Sequence, residues 1–377
     1  MKTKKLIYAD HAATTMLLPA ALEAMLPFLQ TEYGNASTLY SLARKPKKTI
    51  AAARAAIAKC IGAEPDEIFF TSCGTESDNW ALKGTAFRSP GQKKRIITSS
   101  IEHHAVLHSC AFLERMGYDV VYLPVDEKGL VSPADLKKAI NEDTVLVSIM
   151  MANNEIGTIE PIKELANISH KYGVLFHTDA VQAVGHIPID VNDLDIDMLS
   201  ASAHKFNGPK GMGLLYLRKG TPLLNLLDGG AQESGHRGGT ENVAGIVGMA
   251  EALKFNVENM QKHTEHLLNL QHLFINELDR CGFGYVLNGS EKRIPGSFSI
   301  SFTNREGETI LHRLDLMGVA VTTGSACNSK EAVISHVLKA IDLPDTLAKG
   351  TVRFTFGFEN TEEEVKYVAN CIAKILK

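Results

Sequence analysis

The 377-residue sequence lacks several features, and each absence argues against one class of protein. The formal net charge is only −4, so we expect no basic surface of the kind that binds nucleic acid directly. No run approaches the roughly 20 apolar residues that a membrane helix needs. The apolar stretch near Tyr8 is also too short for a signal peptide. We therefore expect a protein without a membrane segment.

Cysteine is scarce and shows no pairing pattern. Without a C-x-x-C spacing, structural zinc and disulfide bonds are not expected, and we predict no metal site. This cysteine usage favours a reducing cytoplasm, where a single exposed cysteine can remain a thiol and react. The six cysteines are Cys60, Cys73, Cys110, Cys281, Cys327 and Cys371.

Short apolar runs rich in β-forming residues alternate with stretches of helical periodicity. This alternation predicts an α/β fold with a mostly parallel sheet flanked by helices. Such sheets bind ligands at the carboxyl ends of their strands, so we expect the chemistry just after each run. The runs are Ile68–Thr71, Ile96–Ser99, Val120–Leu123, Val145–Met151, Val174–His177, Ile196–Ser200 and Gly213–Leu217.

The pattern changes at about Glu251. One long helix is predicted from there to about Asp279, followed by strands and a closing helix, which indicates a smaller α+β lobe. We expect the long helix to join the two lobes. The later elements are predicted at Ser297–Phe302, Val319–Thr322, Val352–Phe356 and Glu362–Leu376.

The densest motif is SAHKFNGPKGMG, from Ser202 to Gly213. Lys205 comes directly after a strand-like run, so its amine can form a Schiff base with an aldehyde cofactor at the ligand end of the sheet. Ser202 and His204 flank it and can donate hydrogen bonds to a phosphate. A lone lysine would more simply be a solvated surface residue, but the whole string favours the cofactor role.

A second motif, HTDAVQ, follows the apolar run that ends at His177. It places Asp179 at the same edge of the sheet, where a carboxylate can pair with a protonated pyridine nitrogen and keep the ring an electron sink. Gln182, one turn on, can hydrogen-bond the ring hydroxyl. An isolated aspartate after a strand is more often a helix cap, so this role depends on the surrounding set.

Three further positions follow predicted strands. Gly74 and Thr75 can hold a phosphate at a helix N-terminus, although plain capping by Thr75 is an equal alternative. His103 can stack on an aromatic cofactor, whereas its neighbour His104 points elsewhere; the alternative is two surface histidines. Asn154 can contact a ring oxygen or a substrate, or simply form a turn.

Taken in order, these motifs resemble the class V aminotransferase superfamily and, within it, the cysteine desulfurases. The resemblance covers essentially the whole chain. It implies a fold-type I transferase with a large domain at 15–255 and a smaller α+β domain made of 1–14 and 256–377, which carries a catalytic cysteine loop. The supporting segments are YADHAATT from Tyr8, YGNAS from Tyr33, the lysine string, RGGTENV from Arg237, GSACNS from Gly324 and TVRFTFG from Thr351.

The resemblance also implies pyridoxal 5'-phosphate as cofactor, L-cysteine as substrate and a homodimer. Thr240 is implied to reach a cofactor phosphate across the dimer interface. Asn35 and Arg353 match carboxylate-binding positions, which suits a guanidinium, and Asn154 is expected to contact the substrate as well. The implied cofactor contacts within one chain are Gly74, Thr75, His103, Asn154, Asp179, Gln182, Ser202, Ala203, His204 and Lys205.

Cys327 matches the sulfur-accepting cysteine of the family, and Gly324 with its short polar neighbours is typical of a mobile loop. Lys205 is expected to remove the substrate Cα proton, with His103 as a candidate proton carrier. The Cys327 thiolate then attacks the substrate sulfur, which leaves alanine and a persulfide.

Several alternatives stay open at this point. A selenocysteine lyase would ignore cysteine, and a class V aminotransferase needs no essential cysteine. A scaffold or sulfur-relay module without turnover is a further alternative, against which Lys205, Asp179 and Cys327 all count. The identity of the sulfur acceptor also stays open among iron–sulfur cluster assembly, tRNA thiolation and sulfur modification of DNA.

Overall fold

The computed structural model describes residues 6–88, 94–323 and 334–377. Its strands are β1 Ile7–Tyr8, β2 Ile68–Thr71, β3 Arg95–Ser99, β4 Asp119–Leu123, β5 Thr144–Ser148, β6 Leu175–Asp179, β7 Met198–Ser202, β8 Gly213–Leu217, β9 Tyr285–Asn288, β10 Ser297–Phe302, β11 Val319–Ala320 and β12 Thr351–Thr355. Its α-helices are α1 Pro19–Gln30, α2 Arg44–Ile61, α3 Gly74–Phe87, α4 His104–Arg115, α5 Pro133–Ala139, α6 Ile162–Lys171, α7 Val243–Glu258, α8 Met260–Cys281, α9 Gly307–Leu316, α10 His336–Ala340, α11 Asp345–Ala348 and α12 Glu362–Leu376. No helix in these ranges is both long and apolar enough to cross a membrane.

The largest sheet of the described residues has seven strands in the order β2-β8-β7-β6-β5-β3-β4. Only β8 runs antiparallel to its neighbours, so the prediction of a mostly parallel, helix-flanked sheet is confirmed. Every residue of β7 and β8 is buried, as expected for strands covered on both faces. The register pairs Asp179 on β6 with Ser200 on β7, which brings the two strand ends together.

The structure has a strand at each predicted position, and the ends of the strands differ from the predicted ends by up to a few residues. The largest difference is β5, which ends at Ser148 rather than at Met151. The chain beyond it still follows β6, because the N–H groups of Ile149 and Met151 donate to the carbonyls of His177 and Asp179 at 3.1 and 2.8 Å. The apolar run therefore continues alongside the sheet after the strand has ended.

The C-terminal part of the chain packs on a separate three-stranded antiparallel sheet, β12-β10-β9. Its core contains Phe274, whose ring centroid lies 5.3 Å from that of Phe298 and 5.2 Å from that of Phe354. This cluster is separate from the one around the large sheet, which supports the domain boundary near residue 255; the boundary itself stays a prediction.

The prediction that a single long helix joins the lobes is wrong. The chain forms α7 and α8, which are interrupted at Asn259 (φ −105°, ψ 6°). The Phe255 carbonyl accepts both from the Asn259 side-chain amide at 2.9 Å and from the Asn259 N–H at 3.1 Å, so Asn259 closes the last turn of α7. The apolar periodicity continues across this break, which is why the pattern predicts one helix.

The N-terminal segment connects the small sheets to the lysine motif. The Ala9 N–H donates to the Ala320 carbonyl at 2.9 Å, and the His11 N–H donates to the Thr355 carbonyl at 3.2 Å. A few residues later, the Thr15 N–H donates to the His204 carbonyl at 2.9 Å. This segment therefore lies between the two lobes, beside the residue predicted to hold the cofactor.

Candidate active site

A cavity of about 390 Å³ opens at the carboxyl ends of β2, β6 and β7. Parallel strands converge there, as the position of the motifs after each apolar run predicts. Most of the residues predicted from sequence lie in it. Its lining includes Asp10, Ala12, Ala13, Cys73, Gly74, Thr75, Asp78, His103, Met150, Asn154, Asp179, Gln182, Ser202, His204, Lys205, Thr322, Thr323 and Arg353.

Lys205 ends a short 3-10 turn, Ala203–Lys205, that directly follows β7. Its Nζ donates to the carbonyl oxygens of Ala12 and Ala13, at 2.7 and 2.9 Å. Ala203, which was expected to contact the cofactor, is fully buried beneath the turn, and its N–H donates to the Met212 carbonyl at 3.0 Å. It fixes the turn rather than lining the cavity.

The two threonines of the N-terminal segment hold the lysine turn in place. The Thr15 hydroxyl donates to the His204 carbonyl at 2.9 Å and accepts from the Asn207 N–H at 2.7 Å. The His204 Nδ1 lies 3.1 Å from the Thr14 hydroxyl. Burial, reinforced by the charge of Lys205, lowers the pKa of His204 to about 4, so this imidazole is neutral at physiological pH.

Two carboxyl groups, Asp179 and Asp78, meet at the floor of the cavity. Asp179 ends β6, and its Oδ1 accepts from the Val181 N–H at 2.9 Å. Asp78 lies on α3, fully buried, and its Oδ1 has no hydrogen-bond partner among the described residues. Burial raises the pKa of both carboxyl groups, and their mutual repulsion raises that of Asp78 further. A protonated ring nitrogen in the cavity would supply positive charge to this pair.

His177, directly behind this pair, is completely buried and neutral. Its ring nitrogens lie 2.8 Å from the Ser148 hydroxyl and 3.0 Å from the Ser200 hydroxyl. Burial lowers the pKa of His177 to about 3. The imidazole therefore supports the site through hydrogen bonds and not as a counter-charge.

The N-terminus of α3 also lines the cavity. The helix begins at Gly74 with Cys73 at the N-cap, and Thr75 lies inside its first turn. In the described part of the chain this N-cap makes no side-chain capping hydrogen bond, so capping by Thr75 is not observed. A Cβ at Gly74 would lie 2.5 Å from Val181 Cγ2, which only glycine avoids. Uncapped N–H groups at a helix N-terminus form an anion site, as expected for a phosphate.

His103 precedes α4, and its Nδ1 accepts from the Ala105 N–H at 3.1 Å. Burial, followed by the charge of Lys205, lowers the pKa of His103 to about 4. A neutral imidazole at the cavity wall suits both stacking and proton transfer, which stay predictions. His104 does not line the cavity and instead contacts the rings of His108 and His336 at 5.0 Å.

Arg353 lies on β12 and is 7% exposed. Its Nη2 pairs with Asp10 at 2.7 Å, and its Nη1 donates to the Asn154 carbonyl at 2.8 Å. Its Nε has no hydrogen-bond partner within the described ranges. The guanidinium is thus oriented at the cavity by Asp10, a residue that sequence reasoning did not assign. Gln182 is also engaged, since its amide donates to the Ala12 carbonyl at 3.0 Å.

Asn35 and Thr240 do not lie in this cavity. They line a separate one of about 230 Å³, bounded by the end of α1 and the start of α7. The Asn35 Oδ1 accepts from the Ser37 N–H at 3.0 Å, and Thr240 is exposed. Within one chain, therefore, neither residue reaches Lys205, and their predicted roles require a second chain.

Cys327 lies outside the described residues, as do its neighbours 324–333.

Some residues of the cavity were not predicted from the sequence. Asp10 could have been found, because it belongs to the YADHAATT motif. The carbonyls of Ala12 and Ala13 have no sequence signal, because backbone acceptors are not encoded by residue type. Asp78 has only its place on the helix that follows Gly74.

Comparison with known proteins agrees with this geometry. The family model for aminotransferase class-V matches residues 7–368. A cysteine desulfurase IscS of Dictyoglomus turgidum is 52% identical over 375 residues, which are 99% of this chain and 95% of the relative. A solved NifS-like protein is 40% identical with a TM-score of 0.93 and covers 98% of this chain and 99% of its own. A structure of SspA in complex with cysteine is 37% identical with a TM-score of 0.83, covering 94% and 100%.

The chain belongs to the aminotransferase class-V family, whose cofactor is pyridoxal phosphate. The lysine after the end of β7, the buried carboxyl pair and the uncapped start of α3 fit an aldehyde, a ring nitrogen and a phosphate, respectively. Within the family, identity over nearly the full length places the chain among the cysteine desulfurases.

Proposed function

We propose that this protein is a pyridoxal-phosphate-dependent cysteine desulfurase that takes sulfur from L-cysteine, releases L-alanine and leaves a persulfide on Cys327. The observation that carries the proposal is the convergence of Lys205, Asp179 and Arg353 in one cavity. An amine for the aldehyde, a carboxyl group for the ring and a guanidinium for the substrate are the groups that amino-acid chemistry on this cofactor requires.

The residues of the cavity can hold each part of the cofactor. Lys205 would bind its aldehyde carbon, Asp179 its ring nitrogen, and the first turn of α3 its phosphate, together with Ser202 and His204. When bound, pyridoxal phosphate supplies an electron-poor ring that accepts the electron pair left on the substrate Cα.

The protein's own groups then position the substrate and move its protons. Arg353 binds the α-carboxylate, with Asp10 keeping the guanidinium oriented. With a substrate in the cavity, the Lys205 amine would remove the Cα proton, beside the carbonyls of Ala12 and Ala13. Neutral His103 can accept a proton at the cavity wall.

Sulfur transfer needs no external oxidant. The Cys327 thiolate attacks the substrate Sγ, so one S–S bond forms as the Cβ–Sγ bond breaks. The electron pair of the broken bond stays with Cβ, which takes up a proton and becomes a methyl group. Cα regains the proton that Lys205 removed, and the product is alanine. The family resemblance supports this role for Cys327.

We further propose that the active unit is a homodimer. The cavity that contains Asn35 and Thr240 is lined in part by exposed apolar side chains, Leu29 at 60% and Tyr33 at 72%, and Leu39, four residues after Asn35, is 98% exposed. Such a face is typical of an interface. A second copy of the chain would cover it and bring Thr240 to the neighbour's cofactor phosphate, a group that Thr240 cannot reach in its own chain.

Mixed dimers test this arrangement. Chains with Thr240→Ala and chains with Lys205→Ala are combined, and alanine release is compared with that of each variant alone. If Thr240 serves the neighbour, the mixed dimer regains one intact site, because the Thr240→Ala chain keeps its lysine and borrows an intact threonine. If each site lies within one chain, mixing gives no gain; Thr240→Ser is the matched control that keeps the hydroxyl.

The activity is tested with a panel of substrates. L-cysteine should yield alanine and, with a thiol reductant, sulfide; a preference for selenocysteine, or amino transfer to a keto acid, would favour the alternatives.

We infer that the persulfide passes to a partner protein and, from the cysteine usage, that the protein acts in the cytoplasm. A pull-down of persulfide acceptors would identify the pathway.

A further inference from the structure

The segment before Thr240 contains two adjacent residues with left-handed backbone, Glu233 (φ 47°) and Ser234 (φ 56°). Neither is glycine, so this conformation is strained and requires compensating contacts. The Glu233 carboxylate provides them, since it accepts from Arg54 at 2.7 and 2.8 Å and from the Phe70 N–H on edge strand β2 at 2.8 Å. Arg54 also stacks over the Phe70 ring, 4.5 Å from its centroid. The segment is therefore fixed to the sheet edge.

A second ion pair fixes the same segment to α3. The guanidinium of Arg237 donates to both carboxylate oxygens of Glu76, from Nε at 2.9 Å and from Nη2 at 3.1 Å. The Glu76 side chain is only 9% exposed, and it accepts from the Ser72 N–H at 2.7 Å as well. Paired, planar contacts of this kind are strong and directional.

The position of this ion pair links two cofactor contacts of one chain. Glu76 directly follows Thr75 in the first turn of α3, and Arg237 lies three residues before Thr240. Between them the path is tight, because a Cβ at Gly238 would lie 2.7 Å from the Gly229 Cα. The Arg237 Nη1 also donates to the Gly238 carbonyl at 3.1 Å. A shift at Arg237 must therefore move Thr240.

We propose that Arg237 is a positioning residue that sets phosphate affinity in both sites of the dimer: in its own site through Glu76 beside Thr75, and in its neighbour's site through Thr240. This inference rests on the proposed function, because it requires a shared Thr240. It goes beyond that function by assigning a role to Arg237, which contacts neither of the two cofactors in the proposed dimer.

Electrostatics predicts that loss of the Arg237 guanidinium lowers the affinity for the phosphate. Without the guanidinium, the largely buried carboxylate of Glu76 would keep the Ser72 N–H but lose its counter-charge. One residue from the phosphate site, it would then repel a phosphate dianion. The loss acts on the phosphate alone, so pyridoxal, which has no phosphate, is an internal control. We expect Arg237→Gln to weaken pyridoxal phosphate binding about tenfold or more, with pyridoxal binding unchanged.

The test uses full-length mixed dimers in which one chain carries Lys205→Ala, so that only one covalent site remains. Arg237→Gln is placed either on the Lys205→Ala chain, which lends its Thr240 to that site, or on the chain that holds it. Visible absorbance titrations with pyridoxal phosphate and with pyridoxal give the ratio of the two affinities. Arg280→Gln, which breaks an exposed ion pair with Glu277, is the matched control.

The inference predicts a reduced ratio in both placements of Arg237→Gln and none in the control. It is overturned if Arg237→Gln on the lending chain leaves the ratio unchanged while Thr240→Ala on that chain lowers it. Equal weakening of both ligands would show a merely structural role and overturn it too. If Thr240→Ala in trans has no effect, the shared site itself fails. If Arg237→Gln does not fold, Glu76→Gln, which breaks the same ion pair with an isosteric side chain, replaces it on the lending chain. The same affinity ratio is then measured and decides the test.

Discussion

Replacing Arg353 tests how the site holds its substrate. In the folded chain Arg353 is 7% exposed, and its guanidinium contacts Asp10 at 2.7 Å and the Asn154 carbonyl at 2.8 Å. Its remaining donors can take a carboxylate with two parallel hydrogen bonds. Charge-assisted contacts contribute about 1.5–3 kcal/mol, and about 1.4 kcal/mol is tenfold in affinity. Arg353→Ala should therefore raise the KM for L-cysteine about 10- to 150-fold.

The assay is the initial rate of alanine formation against cysteine concentration, with cofactor content followed by visible absorbance. Arg353→Lys keeps the charge opposite Asp10 but loses the planar fork, so KM should still rise while the fold is preserved. Arg293→Lys is the matched control, since Arg293 is equally buried (8% exposed) but lies outside the cavity. An unchanged KM in both Arg353 variants would show that the carboxylate is held elsewhere, and an equal loss of cofactor would point to a structural role.

Two further predictions concern the lysine and the buried histidine. Lys205→Ala should lose the visible absorbance of lysine-bound cofactor and all turnover; alanine release at the normal rate would refute its assignment. Burial lowers the pKa of His177 from its ordinary 6.5 to about 3 in the folded chain, so below pH 6.5 the unfolded chain binds a proton that the folded chain does not. Stability should therefore fall as pH drops from 6.5, by at most about 1.4 kcal/mol per pH unit from this group. His177→Gln should reduce the slope of urea-unfolding free energy between about pH 6.5 and 5, and equal slopes would contradict this.

The sequence predicts those parts of the site that depend on strand ends. Lys205, Asp179 and Gly74 each follow an apolar run, and parallel strands bring their carboxyl ends to one edge. Their meeting in one cavity could therefore be expected from the order of the motifs alone. His103 and Asn154 follow for the same reason.

Contacts between distant parts of the chain could not be predicted in this way. Asp10 and Arg353 pair although they are 343 residues apart in sequence, and the Lys205 amine is held by the carbonyls of Ala12 and Ala13. Backbone carbonyls leave no residue-type signal. The break at Asn259 was missed because a side-chain hydrogen bond to the preceding turn does not interrupt the apolar periodicity.

Whether Cys327 accepts the sulfur can be decided by one measurement: a single-turnover reaction with L-cysteine in the absence of reductant, followed by mass spectrometry of the protein and quantification of alanine. The account predicts one alanine released for each persulfide formed, located on Cys327. It also predicts that Cys327→Ser binds the cofactor normally but forms no protein persulfide. Persulfide formation by the serine variant, or loss of the substrate amine to the cofactor without alanine release, would contradict it.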